Sequence, residues 1–197
     1  MSDAARILAP DPARLAEIIR ARSFGMGKTI RLASGRESNF YFNMKPTMLD
    51  PEGSALIAAA FVEVLKREKP GFIAGLELGA VPPLACATMA SWWAGVPVPC
   101  LIVRKQVKEH GTRLPIEGLP SEEALKGARV LMIEDVTTTG GSVMKAVRTL
   151  RELGAEVTKV LTIVDRQEGA AEELAKEGLE LLSVFKAETF LGYRPQV

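Results

Sequence analysis

An α/β fold with a central, mostly parallel sheet flanked by helices is what this sequence predicts, and three observations predict it. Short continuous apolar runs, at 72–77 (FIAGLE), 98–103, 129–133 (RVLMI), 157–164 and 180–185, alternate with segments whose apolar residues recur at helical spacing. That is the pattern of strands buried on both faces and joined by crossover helices. Helix borders are marked: Asp11 with Pro12 and Asp50 with Pro51 open helices, while Pro70, Gly71 and Gly154 close them. At 197 residues, 47% hydrophobic and 25% charged, the chain has the length of one domain and the composition of a compact one. Disordered, collagenous and coiled-coil classes are excluded together.

The elements follow in order. After Asp11, the residues Leu15, Ile18 and Ile19 form an apolar stripe that packs a first helix on the main body. Residues 29–32 and 40–43 read as two short strands around a Ser/Gly/Asn turn, a hairpin suited to a small flap. From Asp50, Leu56, Ile57, Ala60, Phe61, Val64 and Leu65 keep one helical face apolar up to Pro70. The strand FIAGLE, a helix at 83–93, a strand at 98–103 and, after a long polar segment, a strand from Arg129 come next. A helix at 142–153, a strand at 157–164, a helix at 170–176 and a strand at 180–185 complete the run.

Charge and cysteine content narrow the function. Lys plus Arg (25) nearly balances Asp plus Glu (24), so there is no global field for nucleic acid or a membrane surface, and any basic site is local. Cys86 and Cys100 lie in apolar stretches without CxxC or histidine spacing, which argues against a disulfide scaffold or zinc site and for a reducing cytoplasm. The start MSDAARILAPDPARL lacks a cationic region followed by an apolar one, and no 18 consecutive apolar residues occur, so neither secretion nor membrane spanning is expected.

The stretch VLMIEDVTTTGGS, residues 130–142, carries the chemistry: a buried strand runs into two acids, a hydroxyl- and glycine-rich turn and a helix start. In a parallel sheet, ligands bind beyond the carboxyl ends of strands, where Glu134 and Asp135 would emerge as acceptors for sugar hydroxyls. Thr137, Thr138, Thr139, Gly140, Gly141 and Ser142 offer amides and hydroxyls to an anion such as a monophosphate. The plainer alternative makes the acids turn residues and Ser142 a helix N-cap. A phosphate loop of the GxxxxGK[ST] kind is absent. A second stretch, VRKQVKEHGTRLPIEG at 103–118, has four Lys/Arg between Arg104 and Arg113 against Glu109 alone, and holds the chain's single histidine, His110. It reads either as a solvated loop or, from its length and from hinges at Gly111 and Gly118, as a functional lid.

EDVTTTGGS resembles the 5-phosphoribosyl-diphosphate motif of type I phosphoribosyltransferases, and RKxxKxHG resembles the catalytic loop of the orotate phosphoribosyltransferases. The resemblance spans nearly the whole chain: SGRESNFYFN resembles the substrate hairpin, LELGAVPPLA the pyrophosphate-loop region and IVDRQEG the strand end with an orotate-contacting arginine. It implies one domain over 1–197, with an N-terminal helix and hairpin hood in 1–50 and a core in 51–197 that carries a catalytic loop at 104–121. It further implies that Arg104, Lys105, Lys108 and His110 contact diphosphate, and that Glu134, Asp135, Val136 and the 137–142 turn bind the ribose phosphate. Thr138 and Arg166 would contact orotate, and Lys108, His110 and Asp135 would be catalytic. Without that context Arg166 reads as a surface arginine with a salt-bridge partner, and Tyr41 and Phe42 either stack on the base or fill the hairpin's apolar face.

The implied reaction converts orotate and phosphoribosyl diphosphate to orotidine 5′-monophosphate and diphosphate, in pyrimidine synthesis. Magnesium would ride mainly on the substrate's diphosphate, with no protein ligand expected, in a cytoplasmic homodimer that shares its catalytic loop. A purine-type phosphoribosyltransferase and a non-catalytic phosphoribosyl-diphosphate regulator are the alternatives. Two departures stand out: Ala33 and Gly79 replace lysines of the best-known bacterial members, and no Lys or Arg occurs between Phe72 and Val103. Lys45 is either a substitute cation or an ordinary surface lysine.

Overall fold

The structure is a computed structural model that describes residues 9–31, 37–105 and 115–192. Helix α1 (Pro12–Arg22) starts where expected, with the Asp11 side chain accepting from the Arg14 backbone N–H at 2.9 Å. Strands β1 (Phe24–Arg31) and β2 (Glu37–Phe42) pair antiparallel with a bulge between Met26 and Ile30. The hairpin therefore begins five residues before the position its β-branched residues indicate, because the Phe24, Phe40 and Phe42 rings extend the pairing down to the body of the protein. A four-residue helix α2 (Lys45–Met48), which helical periodicity is too short to reveal, leads to α3 (Pro51–Glu68), capped by Asp50 on the Gly53 N–H at 3.0 Å.

The core alternates strand and helix: β3 (Phe72–Leu76), α4 (Val81–Trp93), β4 (Cys100–Val103), β5 (Ile116–Glu117), β6 (Arg129–Thr137), α5 (Gly141–Glu152), β7 (Glu156–Asp165), α6 (Ala170–Lys176), β8 (Glu180–Lys186) and α7 (Glu188–Leu191). The sheet order is β5-β4-β3-β6-β7-β8, parallel throughout except for the edge strand β5, which lies antiparallel to β4. Part of the polar segment before Arg129 is thus structured, as β5 and a 3₁₀ turn at Glu122–Leu125. The chain steps one way from β3 to β4 and the other way from β6 to β8, so the order reverses between β3 and β6. A crevice opens at such a switch point.

Side chains alternate across the sheet. Ile73, Leu131, Ile133, Leu161 and Ile163 pack with α1, α3 and α4, while Ala74, Met132 and Val160 pack with Val143, Val147 and Leu150 of α5 and Leu174 of α6. Phe190 of α7 is fully buried and ties the hairpin to the sheet, 5.3 Å from the Phe42 ring and 5.6 Å from Phe185. Arg20 of α1 holds the same turn through the Thr189 carbonyl at 2.9 Å. Among the described residues no helix is long and apolar enough to cross a membrane. Phe190→Ala should cost about 3–5 kcal/mol of stability by leaving a cavity between hairpin and sheet. Urea unfolding of the two proteins measures it, and a loss below about 1 kcal/mol would show that the cluster does not anchor the hairpin.

Candidate phosphoribosyl-binding site

Strand β6 is longer than its apolar run, because its ladder with β7 continues through Glu134↔Thr162 and Val136↔Val164 to Thr137↔Asp165. Glu134 and Asp135 are therefore inside the sheet and half-buried rather than beyond its end. Successive strand residues face opposite ways. Glu134 lines a cleft of about 280 Å³ together with residues 136–143 and Lys145. Asp135 faces the loop after β3, where a Cβ placed on Gly79 would stand 2.8 Å from its Oδ1. The structure brings Glu134, the three threonines and the two glycines to one cleft, while Asp135 turns toward the loop after β3.

The turn is built for an anion. Gly140, at φ +80°, is the N-cap of α5, and no side chain caps the helix. The plainer reading of Ser142 as an N-cap is not what forms. The first-turn amides of α5 consequently have no side-chain acceptor. Two buried oxygens, Glu134 Oε2 and Thr137 Oγ1, have no hydrogen-bond partner among the described residues. Buried polar atoms are normally satisfied, so both mark places where a polyhydroxylated ligand would complete the bonding.

Charge around the acids is balanced across the crevice. Burial and the neighbouring Asp135 charge push Glu134 up to about 8, with Lys105 acting in the opposite direction. Asp135 is also raised by burial, while backbone N–H groups and the charges of Lys45 and Lys105 pull it down. Lys105 follows β4, and its backbone N–H donates to Glu77 Oε1 at 2.7 Å, tying the start of the basic segment to the loop after β3. Arg104 pairs with Glu117 of β5 at 3.2 Å. Lys108 and His110 lie outside the described residues. No group of three or more His, Cys, Asp or Glu that could hold a metal occurs among the described residues.

Arg166 is 5% exposed, not a surface residue. Its backbone N–H donates to the Thr137 carbonyl at 2.9 Å, which places it beside the anion turn. Its Nη2 lies 2.8 Å from Glu168 Oε1 and donates to the Phe40 carbonyl at 3.2 Å, and its guanidinium covers the Phe40 ring at 4.5 Å. The arginine thereby joins the sheet to the hairpin. Of the two hairpin aromatics, Phe42 packs against Phe24 and Phe190, while Tyr41 lies over Gly25 and is 45% exposed. Sequence reasoning missed Lys145, although its position three residues after Ser142 puts both on one helical face. It also missed Phe40, for which no local pattern exists, while the salt-bridge partner expected near Arg166 is Glu168.

A crevice at a strand-order reversal, an acid pair in the strand end and an uncapped helix start after a Thr/Gly turn define a protein that binds a sugar phosphate. Residues 48–191 match the phosphoribosyl transferase domain family. The chain is 57% identical over 179 residues to an orotate phosphoribosyltransferase of Bradyrhizobium sp. (strain ORS 278), covering 91% of this chain and 96% of that protein. It is 56% identical over 180 residues to one of Rhodopseudomonas palustris (strain BisB5), with the same coverage of both. The crystal structure of the Mycobacterium tuberculosis orotate phosphoribosyltransferase with 5-phospho-alpha-D-ribosyl 1-diphosphate superposes with a TM-score of 0.74 at 35% identity, covering 92% of this chain and 99% of that one. The chain belongs to the orotate phosphoribosyltransferase family.

The raised value of Glu134 sets a pH dependence. The folded protein keeps this carboxyl protonated up to about 8, whereas the unfolded chain releases the proton near 4.5. Stability therefore falls as pH rises through that window. Glu134→Gln, which does not ionise, should be more resistant to urea than the parent at pH 8 by at least ~1 kcal/mol, and equal to it near pH 4.5. Equal stabilities at both pH values would mean that Glu134 is ionised in the free protein.

Proposed function

We propose that this chain transfers ribose 5-phosphate from 5-phosphoribosyl 1-diphosphate to orotate, giving orotidine 5′-monophosphate and diphosphate in pyrimidine nucleotide synthesis. The observation that carries the reading is the union of the β6 cleft, with its two unsatisfied oxygens, and the buried Arg166 at the next strand end. The 137–142 turn takes the 5′-phosphate, and Glu134 and Asp135 take the ribose 2′ and 3′ hydroxyls. Orotate, an anionic base with a carboxylate, lies between Thr138 and Arg166, under the hairpin that Arg166 holds.

Breaking the anomeric bond builds positive charge on the ribose ring and negative charge on the departing diphosphate, so catalysis consists mainly of stabilising separated charges. The acid pair, ionised once the cations that accompany the diphosphate are bound, suits the developing cation on the ribose. Arg104 and Lys105 at the end of β4, with Lys108 and His110 on the loop that follows, neutralise the diphosphate, and loop closure excludes water. Magnesium suits this arrangement because its preferred ligands are phosphate and water oxygens, which the diphosphate and solvent would supply. When bound it supplies further charge neutralisation on the diphosphate. A homodimer that shares the basic loop fits the exposed apolar stripe of α4, where Met89 and Trp92 stand one turn apart with Leu78 just before the helix.

The decisive assay follows orotate absorbance with phosphoribosyl diphosphate and magnesium, with adenine, hypoxanthine and uracil in parallel. Consumption of orotate alone is expected, and turnover of a purine instead would transfer the reading to a purine enzyme. Lys108→Ala should lower kcat much more than it raises either KM, because its contact is strongest with the departing diphosphate. An unchanged kcat would remove Lys108 from the chemistry. Glu134→Gln combined with Asp135→Asn should abolish calorimetrically detectable phosphoribosyl-diphosphate binding in a protein that remains folded, and retained affinity would refute their assignment to the ribose.

A further inference from the structure

The turn after Arg166 is built to hold one side chain in place. Gln167 adopts φ +57°, in the left-handed region that residues other than glycine rarely enter. Two hydrogen bonds keep it there: its backbone N–H donates to Asp165 Oδ1 at 2.8 Å, and its side-chain Oε1 accepts from the Glu188 backbone N–H at 3.1 Å. The chain turns at this residue, and Glu168 Oε1 lies 2.8 Å from Arg166 Nη2, with the two side chains only 16% and 4% exposed. The same Nη2 donates to the Phe40 carbonyl, and the guanidinium covers the Phe40 ring. Phe40 belongs to the separate two-stranded hairpin, whereas Glu168 follows β7, so the carboxylate ties the guanidinium to the main sheet.

Charge and placement pull in different directions at this pair. Burial acts against the Arg166 charge, and Glu168 is what favours it. Yet a carboxylate already seated on a guanidinium repels a second carboxylate that approaches the same group. Neutralisation by Glu168 therefore does nothing to favour an anionic base. What the carboxylate can supply is direction: an arginine fork receives a planar anion well only when its own plane is fixed. We propose that Glu168 is a positioning residue for the base, holding the plane of the Arg166 guanidinium in which the carboxylate of orotate is received. The inference rests on the reading of orotate as the base, and adds to it a residue that sets the affinity for that base without touching it.

Steady-state kinetics of the full chain with orotate and phosphoribosyl diphosphate, run on the parent, Glu168→Asp and Glu168→Gln, separate placement from charge. Glu168→Asp keeps the charge but withdraws the carboxylate by one methylene. Its orotate KM should rise about tenfold, as loss of one charge-assisted hydrogen bond does, while kcat and the KM for phosphoribosyl diphosphate stay within about twofold of the parent. Glu168→Gln keeps the reach and an acceptor oxygen and removes only the charge, so its orotate KM should be equal to the parent's or lower. The opposite order, equal rises in both variants, or no change in Glu168→Asp overturns the proposal. So does a fall in kcat as large as the rise in KM, which would mark general damage to the fold. A parent that consumes orotate with a KM indifferent to Glu168→Asp sinks this inference alone, whereas a parent that leaves orotate untouched sinks the proposed reaction and this inference with it.

Discussion

The β6–β7 ladder is the constraint on which the site depends. Because it continues to Thr137↔Asp165, Glu134 and Asp135 are held as strand residues whose side chains diverge to opposite faces. The same last rung places the Arg166 N–H on the Thr137 carbonyl, so Arg166 and the Thr/Gly turn share one hydrogen bond. Had the strand ended at Ile133, where its apolar run ends, both acids would be on a solvated turn, with ordinary ionisation and no fixed direction. Backbone pairing thus fixes the relative positions of Glu134, Asp135, the 137–142 turn and Arg166 before any ligand arrives, which is the preorganisation that the proposed reaction would require.

That placement works against the stability of the empty protein. A half-buried carboxyl beside a second one is disfavoured as an anion, and a buried oxygen without a partner forgoes a hydrogen bond. In the proposed reaction, ligand hydroxyls and the cations that accompany a diphosphate would relieve both deficits together. The strain is offset elsewhere by two closely packed layers on either face of the sheet and by the Phe190 cluster under the hairpin.

The parallel sheet, α3, and the acid-threonine-glycine turn were legible because each is written in contiguous residues: apolar runs, an Asp-Pro helix start, a motif. Features made by distant residues were not. The true start of the hairpin depends on Phe190, which is more than a hundred residues away from β1 and β2, and the burial of Arg166 depends on Phe40 across the same gap. β5 has only two residues and exists because β4 offers an open edge, not because Ile116 and Glu117 favour a strand. Lys145 is within reach of helical spacing but falls just past the motif.

Gly79 shows how a departure from the best-known pattern can be read from geometry. A side chain there would begin 2.8 Å from an Asp135 carboxylate oxygen, so in this arrangement the loop after β3 approaches the acid closely only because position 79 has no Cβ. A lysine at that point would push the loop away or turn the aspartate. The positive charge that reaches Asp135 comes instead from two other elements, Lys45 beyond the hairpin and Lys105 beyond β4. Charge on those flanking elements leaves the close approach of the β3 loop to Asp135 undisturbed. In the proposed reaction, neutralisation of the diphosphate would accordingly fall to those flanking elements, and the cleft walls at β3 and β6 would be left to position it.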